Sequence, residues 1–439
     1  MVAHSLGSNT VSRRALFRGS AYAVAGGALV SLPFGRELLA HDVSDTWPNV
    51  AAKIEQYVRQ QKVPNMVASF GWGEKDPHSV ARGGLKFGRT AAPAGLDSLY
   101  RIYSMTKPIT GMAVMMLIEE GKLGLDQPLA EIIPAFEKMK VLKNARGPID
   151  DVVPAECQIT IRHLLTHTAG FSYDITAKGP LLEAYLRNGV LSGQVSRIPI
   201  PGLPNAAPAP GLKAMVDRLA TMPLAAQPGT KWIYSTSIDV LGRVIEVVSG
   251  ESFDAFLQTR MFDPCGMDST WFRVPQSEVD RYTDNYGILA GMPIPVDPGE
   301  ASIFLDKPPI LWGGSGLVSS PRDYDRFLKM LLGNGVIDGK RVMGAAAVRM
   351  GTSNLLPEGA ITKGSYVDGQ GFGAGGRVVG RTYGWGGAAG TLASVDFENN
   401  LRAGLFVQYM PSDAYPIRAE FIAALAKDLG GEAKAAALG

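Results

Sequence analysis

The hydrophobic positions of this chain change period along its length. Val50 to Gln61 reads as a helix, whereas Met66 to Trp72 and Val80 to Arg82 read as strands joined by the turn-rich Gly73-Glu-Lys-Asp-Pro77. A second helix is predicted where Ile109, Met112, Ala113, Met116, Leu117 and Glu120 recur at three-and-four spacing and Gly121 ends the pattern. Pro108 fits only its first turn. Towards the other end, Thr391–Phe397 and Leu401–Tyr409 flank Glu398-Asn399-Asn400 as a hairpin, and a helix follows over Ala419–Leu429. The two ends are expected to share one sheet. Helical segments and loops dominate between about 126 and 299, which predicts a helical subdomain inserted into an α/β part formed by about 45–125 and 300–430. Ile198 to Gly211 carries Pro199, Pro201, Pro204, Pro208 and Pro210, so it is neither helix nor central strand. It is expected to flank the substrate cleft, or else to be a surface excursion.

Composition narrows the class. With 439 residues, 46% hydrophobic and 19% charged, the chain can bury a large core. The formal charge is +2, but Arg13, Arg14, Arg18 and Arg36 against Glu37 give the first forty residues a local +3, leaving −1 for the rest. A near-neutral body without a basic stripe argues against a nucleic-acid partner. Ser12-Arg13-Arg14-Ala15-Leu16-Phe17 precedes the apolar run Ala21–Val30, too short for a permanent membrane span. This leader resembles a twin-arginine export signal, which implies a periplasmic protein with residues 1–40 as signal, cleavage after Ala40, a catalytic body over 41–430 and a tail at 431–439. An uncleaved anchor is the alternative.

Metal and disulfide chemistry find little support. Cys157 and Cys265 stand in no metal-spaced cluster, and two separate buried thiols are the default reading. His163 and His167 are four apart, but no Glu follows His163 and no third ligand suggests itself. They read as a structural helix end closing on Gly170.

Acyl chemistry finds more. Ser104-Met-Thr-Lys107 places a hydroxyl and an amine three apart, so a helix starting there turns both to one side and its dipole favours the anion that develops on attack. Four-residue matches of this kind are common by chance. A partner is offered by Pro228-Gly-Thr-Lys-Trp-Ile-Tyr234, a turn running into an apolar helix that ends at Gly250. Phenols ionise near pH ~10 in water, so Tyr234 needs a neighbouring cation to act as base at neutral pH, and Lys107 supplies one. Tyr383-Gly-Trp385-Gly386-Gly387-Ala388, immediately ahead of a predicted strand, reads as a glycine-rich turn. Alternatively its glycines let the backbone approach a ligand closely, and an edge-strand N–H such as that of Ala388 could join that of Ser104 to hold an oxyanion, with Trp385 as an apolar wall.

The ordered set S-x-x-K at Ser104, H-T-A-G at His167, P-G-T-x-W-x-Y-S at Pro228, Pro264–Phe272, Gly313–Ser320 and W-G-G at Trp385 resembles the class C β-lactamase superfamily, and most of all its family VIII carboxylesterases. The resemblance spans about residues 45 to 430. It implies an α/β fold of the α+β type, an antiparallel sheet flanked by helices plus a mostly helical subdomain, as in β-lactamases and transpeptidases. It also implies Ser104 as nucleophile, Lys107 and Tyr234 as the base pair, the N–H groups of Ser104 and Ala388 as oxyanion hole, and Trp385, Gly386, Gly387 and Thr236 as substrate-binding positions. No metal or organic cofactor is required for such chemistry.

The departures from the lactamases are informative. Their second motif is Y-x-N and their third K-T-G, where this chain has Tyr234-Ser235-Thr236 and Trp385-Gly386-Gly387. Losing one charge-assisted contact to a substrate carboxylate weakens recognition by ~1.5–3 kcal/mol, about a hundredfold at the upper end. The expected substrate is therefore a small neutral ester. The alternatives are a β-lactamase, a D-amino-acid peptidase or amidase, an acyltransferase on the same scaffold, or a non-catalytic binding protein.

Overall fold

A computed structural model describes residues 46–200 and 206–430. The expected export signal, its cleavage point and the 431–439 tail lie outside the described residues.

The two ends of the chain meet in one sheet. Strands β1 (Asn65–Trp72) and β2 (His78–Gly83) join β3 (Gly371–Phe372), β4 (Arg377–Val379), β5 (Thr382–Gly386), β6 (Leu392–Asp396) and β7 (Leu401–Phe406) in the order β3-β4-β5-β6-β7-β1-β2. Every neighbouring pair is antiparallel, with Val67 opposite Phe406 and Phe70 opposite Ala403 at the seam. The alternation along β1 decides which face each side chain covers. Met66, Ala68 and Phe70 face helices α1 (Pro48–Arg59) and α5 (Ile417–Gly430), where Trp47 stacks on Phe70 at 4.1 Å and on Trp72 at 5.5 Å. Val67, with Val395 and Phe406, faces α2 (Thr106–Glu119) and α4 (Pro321–Leu332). Burying one such Phe or Val contributes about 1.5–3 kcal/mol.

Helix α2 is more central than its three-and-four spacing suggests. Every residue from Thr106 to Leu117 is buried, so the helix is enclosed all round rather than on one stripe. Gly111 permits this, because a Cβ there would stand 2.1 Å from the Ala374 carbonyl oxygen. The helix starts later than expected: Tyr103–Met105 forms a 3₁₀ turn, and Ser104 sits in that turn rather than in α2. Tyr103 has φ +42°, an uncommon backbone for a bulky side chain and one found at functional sites. Just upstream, the buried Arg101 bonds Asp297 at 2.6 Å and the Thr283 carbonyl at 2.6 Å, fixing the chain that leads into the turn. A second buried ion pair, Arg402 to Asp325 at 2.8 Å, ties β7 to α4.

The middle of the chain supplies helices at Ile161–Leu165, Gly179–Arg187 and Leu212–Leu219, and α3 (Ser237–Ser249), which ends on Gly250 at φ +77°. It is less helical than expected at its far end. Asn285–Leu289 and Met292–Asp297 form a hairpin, and the first of these strands pairs with Tyr409–Met410. Pro293 and Pro295 conceal the second strand, Met292–Asp297, in the sequence, and they are tolerated because it is the edge. The glycine-rich segment combines both expectations: Thr382–Gly386 is strand β5, whereas Gly387–Gly390 turns, so Ala388 sits in the turn and not on the edge strand.

Candidate active site

The 3₁₀ turn and the first turn of α2 bring Ser104 and Lys107 together, with Lys107 Nζ 3.2 Å from Ser104 Oγ. The same Nζ donates to the Gly314 carbonyl at 2.7 Å. Tyr234, at the end of the turn that leads to α3, lies beneath it, its ring centroid 4.5 Å from Nζ. The contact is to the ring face, and the hydroxyl is held from another side. Trp385 Nε1 donates to Tyr234 Oη at 3.1 Å, so Trp385, expected as an apolar wall of the cavity, stands behind the lining and is a hydrogen-bond donor to the phenol. Around Tyr234 stand Trp232 at 5.7 Å, Tyr173 at 5.4 Å, Tyr366 at 5.6 Å and His167 at 5.0 Å between ring centroids. This cage leaves the phenol one orientation.

Behind Lys107 lies a carboxylate. Asp239, in the first turn of α3 and fully buried, accepts from the Gly314 N–H at 2.8 Å and from the Tyr173 hydroxyl at 3.3 Å. One glycine therefore receives Lys107 at its carbonyl and gives its N–H to Asp239. A Cβ at Gly314 would stand 2.6 Å from the Tyr173 oxygen, so glycine is what lets the three groups converge. Burial pushes the Asp239 carboxyl up to about 6, against the opposing pull of the Lys107 charge. Asp174, on the cavity wall and accepting from the Ser192 N–H at 3.0 Å, is likewise pushed up to about 6 by burial.

Gly387 makes the third contribution. A Cβ there would stand 2.3 Å from the carbonyl oxygen of Ile102, two residues before Ser104. Without one, the turn after β5 lies directly on the chain that carries the serine, and both Ser104 and Ala388 line one cavity of about 410 Å³. Among the described residues nothing accepts from the Ala388 N–H. The rest of the wall is mixed, with Leu191, Trp312 and Met410 beside Asp174, Arg197, Asp306 and Lys307, and Ile198–Ile200, Ala206 and Pro208 of the proline-rich segment close one side.

Not every expected site residue reaches this cavity. Thr236 is fully buried at the start of α3, and Gly386 and Gly387 lie behind the lining, so these three are placed to support the wall, not to touch a substrate directly. Trp385 meets Tyr234 from the sheet side. His163 accepts from the Thr160 N–H in a capping box, and His167 is buried with Nδ1 3.0 Å from Ser235 Oγ, its imidazole pushed well below the ordinary value by burial and by Lys107. Among the described residues no group of three or more His, Cys, Asp and Glu is arranged to hold a metal. Cys157 is exposed and Cys265 buried, both free thiols, so only one of the two is buried as expected. Asp239 carried little signal in the sequence, an acid in the first turn of a helix, where carboxylates are common. Tyr173 carried none, and Gly314 lay within the Gly313–Ser320 motif with no role of its own, since only the tertiary fold brings them to Lys107.

Known proteins are similar to this chain in sequence and in fold. The Beta-lactamase family profile matches residues 50–427. Protein Rv1367c of Mycobacterium tuberculosis is 33% identical over 346 residues, covering 73% of this chain and 79% of that protein. Esterase EstB of Burkholderia gladioli is 27% identical over 308 residues, covering 67% of this chain and 72% of its own length. Among solved structures, EstCE1, described as a hydrolase with promiscuous acyltransferase activity, superposes with a TM-score of 0.70 at 24% identity, covering 87% of this chain and 98% of that one. The chain belongs to the Beta-lactamase family and is a serine hydrolase.

Proposed function

We propose that the protein is a serine carboxylesterase acting on small neutral esters. The observation that carries this reading is the 3.2 Å contact of Ser104 Oγ with Lys107 Nζ, both on the wall of one cavity, with Nζ over the face of Tyr234. Ser104 attacks the ester carbonyl while Lys107 and Tyr234 together accept its proton, and the carbonyl oxygen becomes an oxyanion held by the N–H groups of Ser104 and Ala388. Collapse of this intermediate expels the alkoxide, which takes the proton back from the pair and leaves as alcohol. Water then gives a proton to the same pair, adds to the acyl-enzyme and releases the acid, with the proton returning to Ser104. The lysine that would meet a lactam carboxylate in this superfamily is replaced by Trp385, which favours an uncharged substrate.

A panel of p-nitrophenyl esters, a chromogenic cephalosporin and a D-alanyl amide, run on wild type and Ser104→Ala, tests the proposal. Ester turnover that vanishes in the variant supports it. A strong preference for the cephalosporin, or an undiminished rate in Ser104→Ala, overturns it. Transfer of the acyl group to an alcohol is the second reading, favoured by the acyltransferase activity in the description of EstCE1. Product analysis in the presence of a small alcohol separates the two. The paired arginines of the leader support export to the periplasm, which a fusion of residues 1–45 to a reporter would test.

A further inference from the structure

The turn that carries Ala388 is gripped from the far side of the sheet. Arg418, in the first turn of α5, donates from Nη2 to the Gly387 carbonyl and from Nε to the Gly390 carbonyl at 3.3 Å. The Gly387 carbonyl also accepts from the Gly390 N–H at 3.2 Å, which closes the turn. Gly386 clears the path for this side chain, since a Cβ there would stand 3.2 Å from Arg418 Cζ. Both hydrogen bonds of the guanidinium go to carbonyls of one four-residue turn, not to a carboxylate. Enclosing a cation in this way is unfavourable, and burial lowers the guanidinium from its ordinary value.

The choice of carbonyl gives the arrangement a purpose. The oxygen of Gly387 and the N–H of Ala388 are opposite ends of one peptide unit. A charged donor on that oxygen draws electron density towards it, leaves the N–H more positive, and fixes the plane in which the N–H points. We propose that Arg418 is a positioning residue of the oxyanion hole, aligning and polarising the Gly387–Ala388 peptide from behind. This rests on the reading of Ser104 and Ala388 as oxyanion donors. Arg418 does not touch the substrate; it acts through the backbone.

The test compares wild type, Arg418→Met and Arg418→Lys with p-nitrophenyl butyrate, phenylboronic acid and butyrate. The boronate forms a tetrahedral adduct on Ser104 and samples the oxyanion hole, whereas butyrate samples ground-state binding. Removing one oxyanion donor outright costs about 10²–10³ in kcat, and a donor that is only released from its orientation is expected to cost less, about 10–30-fold. Arg418→Met should lose that factor in kcat with KM nearly unchanged, lose the same factor in boronate affinity, and keep its affinity for butyrate. Arg418→Lys, with the charge but not the fork, should fall between, and it carries the comparison if the Met variant does not fold. Equal kcat in a folded variant, or a lowered melting temperature with boronate affinity intact, would reduce Arg418 to a structural staple and overturn the inference while leaving the esterase reading untouched. Failure of Ser104→Ala to lose activity would instead remove the reading on which it rests.

Discussion

Trp385 hydrogen-bonds the hydroxyl of Tyr234 at 3.1 Å, and so links β5 of the sheet to the phenol that lies under Lys107. The indole can only donate, so the phenol oxygen keeps its own proton free to be passed elsewhere. Trp385, which does not line the cavity, therefore reaches it only through Tyr234.

Trp385→Phe keeps the aromatic ring and removes this donor. Its kcat for a p-nitrophenyl ester is expected to fall about tenfold, in line with the loss of one hydrogen bond of about 0.5–1.5 kcal/mol, while KM changes little. Steady-state kinetics on the variant check this, and an unchanged kcat would show that the Tyr234 hydroxyl does not need the indole.

Gly387→Ala tests the contact that brings the two halves of the site together. Its Cβ would stand 2.3 Å from both the Ile102 carbonyl oxygen and Thr391 Oγ1, so the turn must move away from the serine. A displaced Ala388 N–H should lower kcat about a hundredfold. Kinetics paired with circular dichroism separate this from general unfolding.

The pH profile should report the buried carboxyls. Burial pushes Asp239 and Asp174 up to about 6 from an ordinary 3.8. The folded state therefore binds these protons more tightly, and stability falls as pH rises through the window from about 4 to 6. Activity runs the other way, because ionised Asp239 balances Lys107 and receives both the Gly314 N–H and the Tyr173 hydroxyl. An acid limb near pH 6 in kcat/KM is expected, lost in Asp239→Asn and retained in Asp174→Asn. Asp174→Asn should instead raise the melting temperature at pH 8, with the gain fading towards pH 4.

Arg402→Met should be the most destabilising of these changes. It leaves Asp325, whose carboxyl burial already raises, without its partner, at a cost of about 3–5 kcal/mol. Urea titration measures the loss. Gly71 shows how closely the pair is fitted, since a Cβ there would stand 2.1 Å from Arg402 Nη2.

What could be read in the sequence divides along physical lines. The seam between β1 and β7 was legible because both strands are apolar stretches bounded by turns, and Ser104 and Lys107 were legible because their relation is local, one turn apart. The point where strand gives way to turn around Trp385-Gly386-Gly387-Ala388 was not legible, because glycine serves both a close-packed strand and a turn. Here Gly386 leaves room for Arg418, and Gly387 for the backbone at Ile102, within and just after a strand. Pro293 and Pro295 hid an edge strand for the opposite reason. Tyr173, Gly314 and Arg418 converge from three separate stretches, and no local pattern marks a partner that only packing supplies.

The position of β1 beside β7 also bears on how the molecule is made. During synthesis β1 emerges early, and its neighbour on one side is among the last strands to leave the ribosome. Until then the middle of the sheet has an open edge, a template for pairing with the wrong chain. The turn that holds Ala388 lies between β5 and β6, so it too is completed late. On the proposed reading, then, the growing chain holds its nucleophile long before it holds the second oxyanion donor, and the pair is complete only after the last strands are made.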